Sequence, residues 1–155
     1  MRRLILSFLL LAPLFHPLAA TAQTQAQLCQ GLRRLVEAAP TSFQRLSGPP
    51  QQIPGSVEEF RANARFGAVQ IPAYTAVMQR GPSRLPPSPA SERFSQLQNE
   101  VGTCLASAQV GPMQTVSGGV RQVWTLPRAL VMLQRLDGTG GETRSEVQLS
   151  VGPRQ

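Results

Sequence analysis

The chain has 155 residues and a formal charge of +7, and all 15 of its basic side chains are arginines. Its only histidine is His16, close to the N-terminus. Without lysine, and without histidine beyond residue 16, the chain lacks the usual activators of a serine or cysteine nucleophile, the histidine ligands of zinc sites and the amine of Schiff-base enzymes. The composition therefore argues against the common hydrolases and metalloenzymes.

Residues 1–22 have the pattern of a cleavable signal peptide. Two arginines precede a short apolar run at residues 4–12, and Ala20 and Ala22 supply the small residues of a cleavage site near Ala22. Proline and histidine interrupt the apolar run before it reaches the roughly 20 residues of a membrane span, which makes a retained N-terminal anchor the weaker alternative. We therefore expect residues 23–155 to form a single exported domain, either periplasmic or secreted.

Both cysteines, Cys29 and Cys104, lie in the expected mature domain. An even number of cysteines in an exported protein predicts a disulfide, and here only one pairing exists. Closing a loop of this length constrains the unfolded chain by about 4 kcal/mol in the chain-entropy model. A free thiol and a metal ligand are the alternatives.

The first half of the mature chain predicts one helix and two strands. Apolar residues recur with helical spacing over residues 25–39. Alternating apolar and polar residues then predict strands over residues 60–66 and 73–80. For the first of these strands a short helix is the alternative, because Ser56 and Glu59 have the spacing of a capping box.

The second half predicts a helix followed by three strands. Ser88 and Pro89 suit the N-cap and the first position of a helix whose apolar stripe extends from Ala90 to Ala108, after a proline-rich connector at residues 81–89. The last two strands are joined by a glycine-rich turn at residues 137–141. The three strands are expected at residues 120–125, 129–136 and 142–151.

The element order α-β-β-α-β-β-β predicts an α+β domain with two layers. We expect a mostly antiparallel five-stranded sheet with both helices on one face. Cys29 lies beside the apolar stripe of the first predicted helix and Cys104 lies within that of the second, so the disulfide should join the two helices. No second domain is indicated.

One enzymatic route needs carboxylates alone, as in glycoside hydrolysis. By position in the chain, the candidate acids are Glu37, Glu58, Glu59 and Glu100. None of them lies in an obviously apolar stretch, so solvated surface charge is the expectation. We predict no catalytic residue, cofactor or metal ion for this chain.

Six residues have the chemistry of a candidate binding surface. Guanidinium groups suit carboxylates and phosphates, and a large aromatic ring with a polar tip suits a protein interface. The six are Arg61, Arg65, Tyr74, Arg121, Trp124 and Arg128. The alternatives are a scattered set of solvated arginines and two aromatic residues that belong to the core.

By elimination, the sequence predicts a non-enzymatic exported domain that binds another envelope component, in the first place a protein. A carboxylate-dependent enzyme acting on envelope glycans is one alternative. Charge-driven association with anionic polysaccharide or lipid head groups is the other, because the domain is basic. No motif indicates a nucleic-acid partner.

Overall fold

The computed structural model describes residues 18–82, 88–138 and 144–155. Within these ranges two α-helices, one 3₁₀ turn (Ala39–Thr41) and seven strands form an α+β domain. The helices and strands, in chain order, are α1 (Leu18–Ala38), β1 (Glu58–Phe66), β2 (Val69–Pro82), α2 (Pro89–Cys104), β3 (Gln109–Val110), β4 (Gln114–Val116), β5 (Gly119–Thr125), β6 (Ala129–Asp137) and β7 (Arg144–Pro153).

The seven strands form one antiparallel sheet in the order β1-β2-β7-β6-β5-β3, and β4 also pairs with β5. The predicted α+β class and antiparallel pairing are confirmed. The predicted count of five strands was wrong, because β3 and β4 were missed. These two strands have two and three residues, too few for alternation to be recognised in the sequence.

Both helices pack on the same face of the sheet. Their apolar stripes and the helix-side residues of four strands form one buried cluster, which includes Leu28, Leu32, Leu35, Phe94, Leu97, Val101, Trp124, Val131, Leu133, Val147, Leu149 and Val151. Burying each large aliphatic side chain contributes about 1.5–3 kcal/mol, so this layer supplies the main stabilisation of the fold.

Helix α1 begins at Leu18, seven residues before the start predicted near residue 25. The segment after Pro17 is rich in alanine, leucine and glutamine, which favour helix, and it contains no further proline before Pro40. The helix therefore continues through the expected cleavage site at Ala22. Residues 1–17, which hold most of the predicted signal peptide, lie outside the described residues. Among the helices that the structure does describe, none is both long and apolar enough to cross a membrane.

The segment with two competing predictions is a strand. β1 pairs with β2 residue for residue from Glu58 to Phe66. Ser56 and Glu59 do contact each other, since the Ser56 hydroxyl donates to the Glu59 carboxylate at 2.8 Å, but a capping box would pair each side chain with the other residue's backbone amide. That contact closes the loop before β1 instead of starting a helix, because the Val57 amide already donates to the Val77 carbonyl of β2.

Helix α2 begins as the sequence predicts. Ser88 is the N-cap, its hydroxyl accepts from the Ser91 amide at 3.2 Å, and Pro89 occupies the first turn. The helix ends at Cys104, before the predicted stripe ends at Ala108. Residues 83–87 of the proline-rich connector, residues 139–141 of the glycine-rich turn and residues 142–143 of the last predicted strand lie outside the described residues.

The predicted disulfide between Cys29 and Cys104 is present and joins α1 to α2, with 4.9 Å between the Cα atoms. A second tie between these helices lies beside it. The Gln25 side-chain amide donates to the Glu100 carbonyl at 2.9 Å, and it also contacts both sulfur atoms.

The loop between the 3₁₀ turn and β1 crosses α1 at Gly31. A Cβ atom at this position would lie 2.1 Å from the carbonyl oxygen of Gln52, so only glycine permits the approach. One turn further along α1, Arg34 donates from Nε to the side-chain oxygen of Gln52 at 2.9 Å. The buried Gln52 thus fixes the loop against the helix.

Candidate binding cleft on the open face of the sheet

The face of the sheet that the helices leave uncovered carries its own small apolar cluster. Phe66, Ile71, Ala73 and Met132 are buried there, and Ala64, Val123 and Leu130 pack against them. The sequence analysis did not predict this cluster. A signal was present in β2, where residues 73–78 are all buried and form a nearly continuous apolar run, as expected for a strand covered on both faces.

Beside this cluster the open face forms a cleft of about 610 Å³. One wall is β1, and the opposite wall is the turn between β4 and β5 together with the start of β5. The floor is contributed by β2, β6 and β7. Its lining residues include Phe60, Ala62, Ala64, Arg65, Thr75, Val116, Arg121, Met132, Gln134 and Gln148.

The floor of the open face contains a buried polar pair. The hydroxyls of Thr75 on β2 and Ser150 on β7 lie 2.9 Å apart and form a hydrogen bond. Ser150 alternates with the apolar residues Leu149 and Val151 along β7, a pattern that predicts a solvated side chain, but its exposed fraction is 1%. Thr75 lines the cleft but is only 4% exposed, so the pair has little contact with water.

The cleft brings together only two of the four candidate arginines, Arg65 and Arg121. Arg121 is positioned by β4, since its Nε donates to the Gln114 side-chain oxygen at 2.9 Å. Arg61 is exposed and pairs in register with Tyr74, which belongs to the helix-side core. Arg128 lies in the turn between β5 and β6, away from the cleft. The six candidates therefore do not form one surface.

The two aromatic candidates are core residues. Trp124 is 1% exposed and Tyr74 is 6% exposed, and both belong to the cluster under the helices. The ring of Tyr74 packs against Phe43, with 5.8 Å between ring centroids. Neither side chain is available as a surface anchor, which corrects their assignment to a binding surface in favour of the core alternative.

Tyr74 has a second role through its hydroxyl, which donates to Glu59 at 2.6 Å. Burial disfavours the phenolate, and the hydrogen bond to Glu59 adds to that effect, so the pKa of Tyr74 is raised well above its usual value of 10.0. Glu59 also accepts from the amides of Gln52 and Ile53 and from the Ser56 hydroxyl. This carboxylate is a structural acceptor with four donors.

The other candidate acids lie apart from one another. Glu58 forms an exposed ion pair with Arg80 at 2.7 Å, and Glu100 lies 3.7 Å from Arg93 on α2. Glu37 is exposed on α1. Among the described residues that line the cleft, none is acidic. The part of the chain that the structure describes also brings no three histidine, cysteine, aspartate or glutamate residues together as a metal site would require.

Comparisons of the chain with protein-family models, with curated proteins and with solved structures gave no match.

Proposed function

We propose that this protein is a non-enzymatic, exported binding domain that contacts another envelope protein through the cleft on the open face of its sheet. One observation carries the proposal. Both helices pack on one face of the sheet, whereas the other face presents a cleft of about 610 Å³, a size typical of binding sites.

The lining of the cleft suits a polypeptide segment. Phe60, 36% exposed, offers an aromatic contact of the kind that dominates many protein interfaces. Gln134 and Gln148 offer amide groups that both donate and accept hydrogen bonds, as a peptide backbone requires. Arg121 adds a guanidinium group that pairs well with a carboxylate of the partner.

Two features favour binding over catalysis on glycans. The two-carboxylate mechanism needs acids in the cleft, and the described lining residues include none. Glu59, the carboxylate with the most hydrogen bonds among the described residues, has both oxygens occupied by four structural donors.

The Cys29–Cys104 disulfide is compatible with export, because such bonds persist in oxidising compartments.

The test is an affinity capture from an envelope extract of the cells that make this protein. The bait is the protein in the form in which those cells accumulate it, whether whole or processed. Wild type is compared with Phe60→Ser, which removes the exposed ring in the cleft. The matched control is Val69→Ser, a change at another exposed apolar residue (53%) that does not line the cleft. A second pair, Arg121→Gln and Arg61→Gln, removes one charge inside and one outside the cleft.

We expect one protein to be retained through a high-salt wash by wild type, Val69→Ser and Arg61→Gln, and to be lost with Phe60→Ser and weakened with Arg121→Gln. An interface with an apolar centre resists salt, whereas exposed charges are screened within about 8 Å at physiological ionic strength. Equal loss in the cleft variants and their controls would overturn the cleft as the interface. Recovery of anionic material alone, removed by salt, would favour the surface-association alternative.

A further inference from the structure

Two adjacent pockets lie at the end of α1, where the chain after the helix meets the turn between β5 and β6. The first has a volume of about 280 Å³ and is lined by Arg34, Arg45, Arg128, Glu37, Thr41 and Ser47, among others. The second has a volume of about 380 Å³ and is lined by Val36, Pro40, Leu126, Pro127, Glu37 and Arg128. Because Glu37 and Arg128 line both, the first (the arginine pocket) and the second (the apolar pocket) are direct neighbours.

The arginine pocket concentrates positive charge. Three guanidinium groups and one carboxylate line it. In the described ranges, carboxylates lie within 4 Å of Arg80, Arg93 and Arg135, but of none of the three pocket arginines. Arg65 and Arg121 are also unpaired and both line the cleft, but no third arginine is among the described residues that line it. Like charges around a cavity repel one another, and a bound anion relieves that repulsion.

One of the three arginines is already held in place. Arg34 is half-buried, and it donates from Nε to the Gln52 side-chain oxygen at 2.9 Å and from Nη2 to the Gln52 carbonyl at 3.4 Å. A guanidinium group held in this way loses less conformational freedom when it binds an anion.

The negative end of the α1 dipole does not oppose an anion strongly here. The Ala38 carbonyl accepts from the Phe43 amide and from the Thr41 hydroxyl, both at 3.0 Å. The Ala39 carbonyl accepts from the Ser42 amide at 2.9 Å. These bonds satisfy carbonyl groups that would otherwise carry the partial negative charge of the helix end.

We propose that the two pockets together bind one amphiphilic molecule with a phosphate head group, the phosphate in the arginine pocket and the hydrocarbon in the apolar pocket. Three arginines and one glutamate leave a lining charge that a phosphate dianion balances better than a single carboxylate does. Concave pockets of this size fit a single small molecule and not a membrane surface. This site is separate from the cleft, so either proposal can fail without the other.

The test measures binding of octyl phosphate to the protein by titration calorimetry, at concentrations below those at which octyl phosphate forms micelles. The protein is used in the form in which its cells accumulate it, whether whole or processed. The double variant Arg45→Gln/Arg128→Gln removes two exposed guanidinium groups from the pocket. Its matched control is Arg33→Gln/Arg61→Gln, with the same net charge and two exposed arginines that line neither pocket. Circular dichroism melts establish that all variants are folded.

We expect the pocket variant to bind octyl phosphate at least about tenfold more weakly than wild type, since charge-assisted hydrogen bonds contribute well over a tenfold factor in binding. The control variant should bind like wild type. Equal weakening in both variants would reduce the effect to general charge attraction and overturn the site. Absence of octyl phosphate binding by wild type would also overturn the site.

Two further probes separate the pockets from other sources of binding. Inorganic phosphate should bind more weakly than octyl phosphate, because it leaves the apolar pocket empty. Equal affinity for the two would overturn the role of the apolar pocket. Binding to phosphatidylglycerol vesicles without binding to monomeric octyl phosphate would overturn the single-molecule site in favour of a membrane surface.

Discussion

The hydroxyl of Tyr74 on β2 donates to the carboxylate of Glu59 on β1 at 2.6 Å. The same carboxylate accepts from the backbone amides of Gln52 and Ile53 at 2.8 and 2.7 Å. Because Gln52 in turn fixes the loop against α1, one acidic side chain connects the edge of the sheet to the helix layer.

Glu59→Gln should therefore destabilise the domain. The amide has one acceptor oxygen in place of two and turns an N–H group toward existing donors. Since hydrogen bonds to a charged acceptor contribute about 1.5–3 kcal/mol each, we expect a loss of about 2 kcal/mol or more. Glu58→Gln is the matched control, because the Glu58–Arg80 pair is exposed and should contribute much less to stability. Urea unfolding measures both, and equal losses would contradict the role of Glu59.

The raised pKa of Tyr74 predicts a pH dependence at the alkaline end. Below pH 10.0, the usual pKa, the phenol is protonated in the folded and the unfolded chain, and its stabilising contribution is complete. As the pH rises above this value, the unfolded chain releases the proton while the folded chain keeps it, so the free energy of unfolding falls.

The measurement is specific, because Tyr74 is the only tyrosine in the chain. Phenolate absorbance should stay low in the native protein as the pH passes 10.0, and should develop near this value in denaturant. Tyr74→Phe should show no phenolate signal and a smaller loss of stability at alkaline pH. Native circular dichroism together with a phenolate midpoint near 10.0 would contradict the burial of this hydroxyl.

The disulfide should contribute a large part of the stability. Cys29 and Cys104 are 75 residues apart in sequence, and in the chain-entropy model a loop of that length is worth about 4 kcal/mol. Cys29→Ser/Cys104→Ser should lower the urea midpoint accordingly. The double variant should be insensitive to reductant, whereas reduction of wild type should reproduce the variant's midpoint. A wild-type midpoint unchanged by complete reduction would show that the helix contacts alone hold α1 to α2.

The Thr75–Ser150 pair should behave as a unit. Thr75→Val leaves the buried Ser150 hydroxyl without its partner, and an unsatisfied buried hydroxyl costs about 1–3 kcal/mol. Thr75→Val/Ser150→Ala removes both hydroxyls and should be closer to wild type than the single variant is. Thermal unfolding of wild type, both single variants (Thr75→Val and Ser150→Ala) and the double variant gives the coupling free energy. Strictly additive effects would mean that water reaches the pair.

Much of the fold could be predicted, because it depends on local patterns. The stripe around Leu28 and Leu32, the Ser88 cap and the alternation of Val147, Leu149 and Val151 each have a period that one element type explains. The start of α1 was predicted too late. Before residue 25 the residues have high helix propensity, which extends the helix, but they lack the apolar periodicity on which the prediction relied. Strands β3 and β4 were missed because pairing with β5, and not their own sequence, defines them.

The candidate sites could be predicted only in part. Arg121 and Arg128 were both identified as possible ligand contacts, but Arg121 lines the cleft and Arg128 lines the pocket at the end of α1. Residues 34, 45 and 128 come together only through the packing of the helix layer on the sheet, and no spacing along the chain encodes that. Trp124 was ambiguous for the same reason, since the side of β5 that faces the helices depends on register.

The sequence by itself determined the α+β class, the antiparallel pairing and the disulfide. Composition and local periodicity encode these properties, and two cysteines allow one pairing. Only the tertiary structure decided which face of the sheet stays open, which arginines converge, and that Tyr74 and Glu59 meet beneath the helices. Such contacts join residues far apart in the chain or on neighbouring strands, and they depend on strand register and on the packing of one layer against another.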